Sequence, residues 1–218
     1  MTLNITNRKR NFILVSPIVV ILLGFITATI CSKVIDEWAW VPLAIVYWSS
    51  LGLCIKYFKG HKQIKDWLKK PQSSKFIVFF TLILGLFPMS VIMMNYEIFN
   101  SIWLVVLWLL FAIINPFFEE LYWRGLLLDA ARKLFPKSIA VAYSTVFFVL
   151  SHPLMWGVFS IANAHYHVFI YLTILGVVWS YTYFQTQSLR WVMLSHFFVD
   201  IGIMTVPVFL NLYVPPNA

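Results

Sequence analysis

Long apolar runs separated by short polar breaks constrain this chain more than any other feature of its sequence. A helix needs about 20 apolar residues to cross about 30 Å of hydrocarbon, and backbone groups inside a bilayer must pair internally. We therefore expect about seven transmembrane helices, at roughly 12–30, 38–57, 76–94, 101–118, 138 onward, 168–184 and 191–210. The predicted fold class is an all-α polytopic transmembrane helical bundle, with a single membrane domain over residues 1–218.

Composition and charge support this class and indicate an orientation. The chain has 61% hydrophobic and only 11% charged residues, which excludes an ordinary soluble domain. If the amino terminus is cytoplasmic, 15 of the 16 Lys and Arg residues fall on the inner side, and only Lys33 lies opposite. We interpret segment 59–75 as a solvated basic loop facing anionic lipid, with a short surface helix as the alternative. We expect a multi-pass integral membrane protein, in the inner or plasma membrane if bacterial, with the lipid bilayer as partner and no nucleic acid.

A cluster of charge stands at the end of the fourth apolar run. There Phe118 is followed by Glu119, Glu120 and, four residues later, Arg124. Charges are costly within a bilayer, so such a cluster needs pairing, water or a function. On a helix Glu120 and Arg124 share a face, whereas Glu119 lies about 100° round and is left unpaired. A free carboxylate beside a neutralised one suits general-base chemistry.

Two further pairs of polar or aromatic residues have helix-face spacing. Phe148 precedes His152 by four residues, and His196 precedes Asp200 by four. Each has a purely structural alternative, such as a core histidine or an orienting hydrogen-bonded pair. Their recurrence on three different predicted spans favours a functional site. The first two spans carry no obvious reactive group.

These three motifs, in this order, resemble the CPBP (CAAX protease and bacteriocin-processing, or Abi) family, which includes the type II CAAX prenyl endopeptidases. The resemblance covers a catalytic core at about 101–205. It implies an intramembrane endopeptidase in which Glu119 and His152 activate the attacking water. The resemblance also implies that His196 and Asp200 stabilise the oxyanion of the tetrahedral intermediate. Glu120 and Arg124 support the architecture.

The role of Asp200 in this scheme depends on its protonation. An ionised Asp200 would repel an oxyanion, so it is either protonated and donates, or it accepts a hydrogen bond and orients His196. We favour the second role.

The depths of the motifs in the membrane differ. His152 lies about 20 Å beyond the start of its span at 1.5 Å per residue, whereas Glu119 ends its own span near the inner boundary. Tilt, an interfacial start to the fifth span or an inward continuation of the acidic helix would bring them together. Pro88 in the third span predicts a kink.

Cofactor and function each have an alternative. Glu119 or Glu120 with His152 and His196 would supply three zinc ligands and leave a position for water, although we favour a site with no obligate cofactor. The expected substrate is a membrane-associated peptide or protein. The alternative function is a non-catalytic membrane partner or transporter, for example in bacteriocin immunity or as a scaffold, that uses the buried charges for binding.

Overall fold

The computed structural model describes residues 7–58 and 60–215, and that part of the chain is helical without any strand. The predicted all-α class is therefore confirmed. Nine α-helices of seven or more residues are found among the described residues: α1 (Asn7–Ile35), α2 (Trp40–Phe58), α3 (Gly60–Trp67), α4 (Lys75–Leu86), α5 (Met89–Asn95), α6 (Ile102–Glu120), α8 (Lys137–Met155), α10 (Tyr166–Thr186) and α11 (Arg190–Gly202). Shorter helices are α7 (Asp129–Ala131), α9 (Ile161–Ala164) and α12 (Thr205–Phe209).

Five helical runs among the described residues are long and apolar enough to cross a membrane, which supports an integral membrane protein. They are Asn7–Phe58, Lys75–Ile98, Ile102–Ala131, Lys137–Val158 and Tyr166–Thr186. The first run contains both α1 and α2, which pack against each other and are joined by a 3₁₀ turn at Asp36–Ala39. The predicted count of seven spans is not confirmed.

The last predicted span, 191–210, is not one continuous helix. Helix α11 ends at Gly202, and Met204 adopts a left-handed conformation with φ of 54° before α12 begins. A side chain at Gly202 would lie 2.8 Å from the backbone of Pro88, so the two chain segments approach closely here. Pro88 itself separates α4 from α5, which confirms the predicted interruption of the third span.

The helical path does not stop at the acidic motif, where α6 ends at Glu120. It continues as a π-helix over Leu121–Leu128, all of whose residues are buried, and then as α7. Residues 121–128 therefore belong to the core of the bundle. An inward continuation is one of the explanations we considered for the depth of Glu119. Wide π turns are rare and often occur at functional sites.

The basic segment after α2 is folded against the rest of the bundle. It contains α3, and Trp67 at the end of that helix is only 2% exposed. A Cβ atom at Gly125 would lie 2.9 Å from the Trp67 ring, so this glycine lets α3 pack on the π-helix. A solvated loop was thus the wrong choice between the two alternatives for this segment.

Candidate active site

The acidic motif lies inside the bundle and is paired in part as predicted. Glu119, Glu120 and Arg124 are each at most 1% exposed. Arg124 Nη1 donates to Glu120 Oε1 at 2.9 Å, across the predicted spacing of four residues. The Arg124 guanidinium also lies over the rings of Phe148, at 4.1 Å, and Trp179, at 5.0 Å. Since a lone buried charge is costly, these contacts hold the cation in the interior.

His196 is the residue that connects the acidic helix to α11. Its Nδ1 lies 2.8 Å from Glu120 Oε1, and because a carboxylate oxygen accepts, Nδ1 carries the hydrogen. The other nitrogen, Nε2, lies 3.7 Å from Glu119 Oε2 and 3.8 Å from Asp200 Oδ1. The ring of Trp179 stacks on the imidazole at 4.6 Å. His196 is therefore fixed by one hydrogen bond and one stacked ring, and it presents Nε2 to two carboxylates.

Asp200 is an acceptor in this arrangement. Asn115 Nδ2 donates to its Oδ2 at 3.2 Å, and the Thr205 hydroxyl lies 2.9 Å from its backbone carbonyl and 3.3 Å from its Oδ1. The acceptor character agrees with the role we favoured, but the partner differs. At 3.8 Å from Nε2, Asp200 is too far for a direct hydrogen bond to His196, whose orienting acceptor is Glu120 instead.

Glu119 has two oxygens in different surroundings. Its Oε1 accepts a hydrogen bond of 2.9 Å from the Tyr47 hydroxyl of α2. Its Oε2 is buried and has no hydrogen-bond partner among the described residues. The expectation of an unpaired carboxylate was thus wrong for one oxygen only. Buried polar atoms nearly always have partners, so Oε2 is suited to a water or a substrate group.

His152 shares a cavity with His196 and Asp200. The cavity has a volume of about 230 Å³ and lies between α8, α10 and α11. His152 Nδ1 lies 2.9 Å from the Phe148 carbonyl, so Nδ1 carries the hydrogen and Nε2 is the acceptor in the neutral ring. The structure therefore brings all three motifs to one place, with Glu119 reached through His196. Other side chains that line the cavity are mostly apolar, among them Val91, Leu172, Val199, Ile203 and Val208.

The residues considered as zinc ligands do not form a metal-binding group. In the part of the chain that the structure describes, no three His, Cys, Asp or Glu side chains are arranged to hold a metal ion. Glu120 Oε1 already contacts Arg124 and His196. The donor set thus does not fit a zinc site as it stands.

Sequence reasoning missed three residues of the site. Tyr47 comes from the second predicted span, to which we assigned no reactive group, and Asn115 lies in the fourth predicted span, outside the three motifs. Trp179 belongs to none of the three motifs. Its indole donates to Ser195 Oγ at 3.0 Å beside the stacked His196. A polar or aromatic residue inside an apolar run was the available signal for each.

The fold and site define a helical membrane protein with a buried cluster of carboxylates, histidines and one arginine. Residues 101–202 match the family model described as Rce1-like, type II CAAX prenyl endopeptidase Rce1-like. The match confirms the resemblance drawn from the three motifs: over this segment the chain is similar to the type II CAAX prenyl endopeptidases. It supports a CAAX protease-type intramembrane peptidase in general terms. No curated protein and no solved structure gave a match.

Proposed function

We propose that this protein is an intramembrane endopeptidase that hydrolyses a peptide bond in a membrane-associated peptide or protein. One observation carries the proposal: the unpartnered Oε2 of Glu119 lies 3.7 Å from Nε2 of His196, whose ring lines the cavity that also contains His152. This distance exceeds a direct hydrogen bond, so both atoms remain available to a water or substrate atom that lies beside them.

The first step is attack by water on the scissile carbonyl. Glu119 Oε2 removes one proton from the water, and His152 Nε2 accepts a hydrogen bond from the other hydrogen and aligns the oxygen. The C–O bond forms as the carbonyl π pair moves onto the carbonyl oxygen. A positioned base of this kind contributes about 10²–10⁴-fold to the rate.

The second step is breakdown of the tetrahedral intermediate. His196 Nδ1–H donates to Glu120, so a hydrogen on Nε2 is directed away from that contact and stabilises the oxyanion. The C–N bond then breaks, and Glu119 returns its proton to the leaving nitrogen. Asp200 accepts hydrogen bonds from Asn115 and Thr205, and the charge of Glu120, which accepts from Nδ1, favours the protonated His196.

The cavity indicates the kind of substrate. Because the cavity is mostly apolar, it suits an apolar side chain beside the scissile bond.

We place the amino terminus in the cytoplasm, since 15 of 16 basic residues then lie on the inner side. Reaction with a membrane-impermeant reagent would test this, because Cys31 and Cys54 lie near opposite ends of the α1–α2 pair.

The test is cleavage of membrane-anchored peptides by the purified protein in liposomes. We expect Glu119→Gln to lower kcat at least about 100-fold, since the amide cannot act as a base, and His196→Ala to lower it similarly. Glu97→Gln is the matched control, because it makes the same change at an exposed glutamate. All variants are first compared by thermal unfolding.

Equal activity of Glu119→Gln and Glu97→Gln would contradict the proposal. If Glu119→Gln retains the biological effect of the wild type, the result would instead favour the non-catalytic partner or transporter. No contact among the described residues specifically favours that alternative.

A further inference from the structure

We infer that Tyr47 is a positioning residue of the site, which holds one oxygen of Glu119 and so leaves the other to act as the base. This inference rests on the proposed function, because it takes Glu119 as the base. Tyr47 lies in α2, outside the segment 101–202 that matches the family model. The amino-terminal part of the chain would then contribute directly to the geometry of the reaction centre.

The contact between the two residues is buried and directional. Tyr47 is 1% exposed, and its hydroxyl lies 2.9 Å from Glu119 Oε1. An ionised carboxylate only accepts hydrogen bonds, so the tyrosine donates. Hydrogen bonds to a charged acceptor are about twice as strong as neutral ones, which favours one rotation of the carboxylate.

A second contact determines where the tyrosine hydrogen points. Trp123 Nε1 lies 3.1 Å from the Tyr47 oxygen, and an indole N–H can only donate. The tyrosine oxygen therefore accepts from Trp123, and its single hydrogen is available for Glu119. Trp123 is itself fully buried in the π-helix that follows the acidic motif. A chain of two hydrogen bonds thus runs from the π-helix through α2 back to Glu119.

The tyrosine ring is also held in place. It packs edge-on against the ring of Trp156, with centroids 5.9 Å apart and an interplanar angle of 87°. With Oε1 occupied and the ring fixed, the unpartnered Oε2 lies on the side of His196 Nε2, at 3.7 Å. Loss of the hydroxyl would let the carboxylate rotate and divide its time between productive and unproductive orientations.

The test compares Tyr47→Phe with a matched control, Tyr122→Phe. Both substitutions remove a buried tyrosine hydroxyl, but that of Tyr122 contacts Ser16 Oγ at 2.8 Å and not the carboxylates. In steady-state kinetics on a membrane-anchored peptide, we expect Tyr47→Phe to lower kcat about 10- to 100-fold. Its KM should remain within about twofold, because the contact acts on the base and not on the substrate. Tyr122→Phe should retain kcat within about twofold of the wild type.

An equal loss of kcat in both variants, or no loss in Tyr47→Phe, would overturn the inference. A rise in KM at unchanged kcat would also overturn it, since the tyrosine would then contribute to substrate binding.

A double-mutant cycle measured by thermal unfolding separates this inference from the proposed function. The unfolding temperatures of Tyr47→Phe, Glu119→Ala and the double variant should be non-additive, because the two side chains share one hydrogen bond. The corresponding cycle of Tyr122→Phe with Glu119→Ala should be additive. If the wild type cleaves no peptide, the proposed function fails, and the cycle alone decides whether Tyr47 holds Glu119. Additivity in both cycles would overturn the contact.

Discussion

His196 Nδ1 lies 2.8 Å from Glu120 Oε1, the same oxygen that accepts the hydrogen bond from Arg124. One carboxylate oxygen therefore both neutralises a buried cation and orients the imidazole. Glu120 and the neighbouring Glu119 each have an Oε2 without a hydrogen-bond partner among the described residues, but the Oε2 of Glu119 lies 3.7 Å from His196 Nε2. The two adjacent glutamates thus differ in role, and substitutions should separate stability from activity.

Glu120→Gln should lower both stability and activity. It leaves Arg124, which is 1% exposed, without its counter-charge, and breaking a buried pair in this way costs about 3–5 kcal/mol. Glu119→Gln should change stability by less than about 1 kcal/mol, because no cation is left unpaired, while cleavage is lost. Thermal unfolding in detergent, measured beside peptide cleavage, checks both. Similar unfolding temperatures for the two variants would contradict the assigned roles.

Asp200→Asn should retain substantial activity, whereas Asp200→Ala should lose most of it. The asparagine oxygen can still accept from Asn115, but alanine leaves Asn115 without its acceptor, while Thr205 keeps the backbone carbonyl of residue 200. Cleavage rates of the two variants at matched folded fraction provide the measurement. If both lose activity equally, Asp200 needs its charge and not only its acceptor oxygens.

Gly85→Ala should separate α4 from α11 and lower stability by about 1–3 kcal/mol. Its Cβ would lie 2.6 Å from the backbone oxygen of Ser195, which precedes His196 and cannot move without shifting α11. Gly24→Ala is the control, because its Cβ would meet the flexible side chain of Met155 instead. We expect the larger fall in unfolding temperature and in cleavage rate for Gly85→Ala. A larger effect at Gly24 would show that the α4–α11 contact does not position the histidine.

Metal analysis should find zinc well below one equivalent in protein purified without chelators. Chelator treatment should leave the cleavage rate within about twofold of the untreated enzyme. The reason is that no three potential ligand side chains are grouped to hold a metal among the described residues, and that Glu120 is engaged by Arg124 and His196. Stoichiometric zinc, with activity lost on removal and restored on addition, would instead establish the zinc alternative.

The sequence predicted the parts of the site that depend on spacing along one helix. The Glu120–Arg124 pair forms across four residues as expected. The spacing of the three motifs was also sufficient to indicate the family that the segment 101–202 matches. The helical class followed from apolar run length, because a bilayer allows few other backbone arrangements.

The sequence did not reveal the π-helix or the partners that come from distant segments. Helical periodicity assumes 3.6 residues per turn, so the wider turn at Leu121–Leu128 gave no signal, and this turn continues the acidic helix inward. The contact of Tyr47 with Glu119 joins residues 72 positions apart, and that of His196 with Glu120 joins residues 76 apart.

What the sequence determined by itself is the set of chemical groups and their spacing within each helix, because side chains three or four residues apart share a helical face whatever surrounds them. Only the tertiary structure decided which oxygen of each glutamate is occupied. That choice depends on how α2, α6 and α11 pack, and packing in a close-fitting interior is a property of all the helices together.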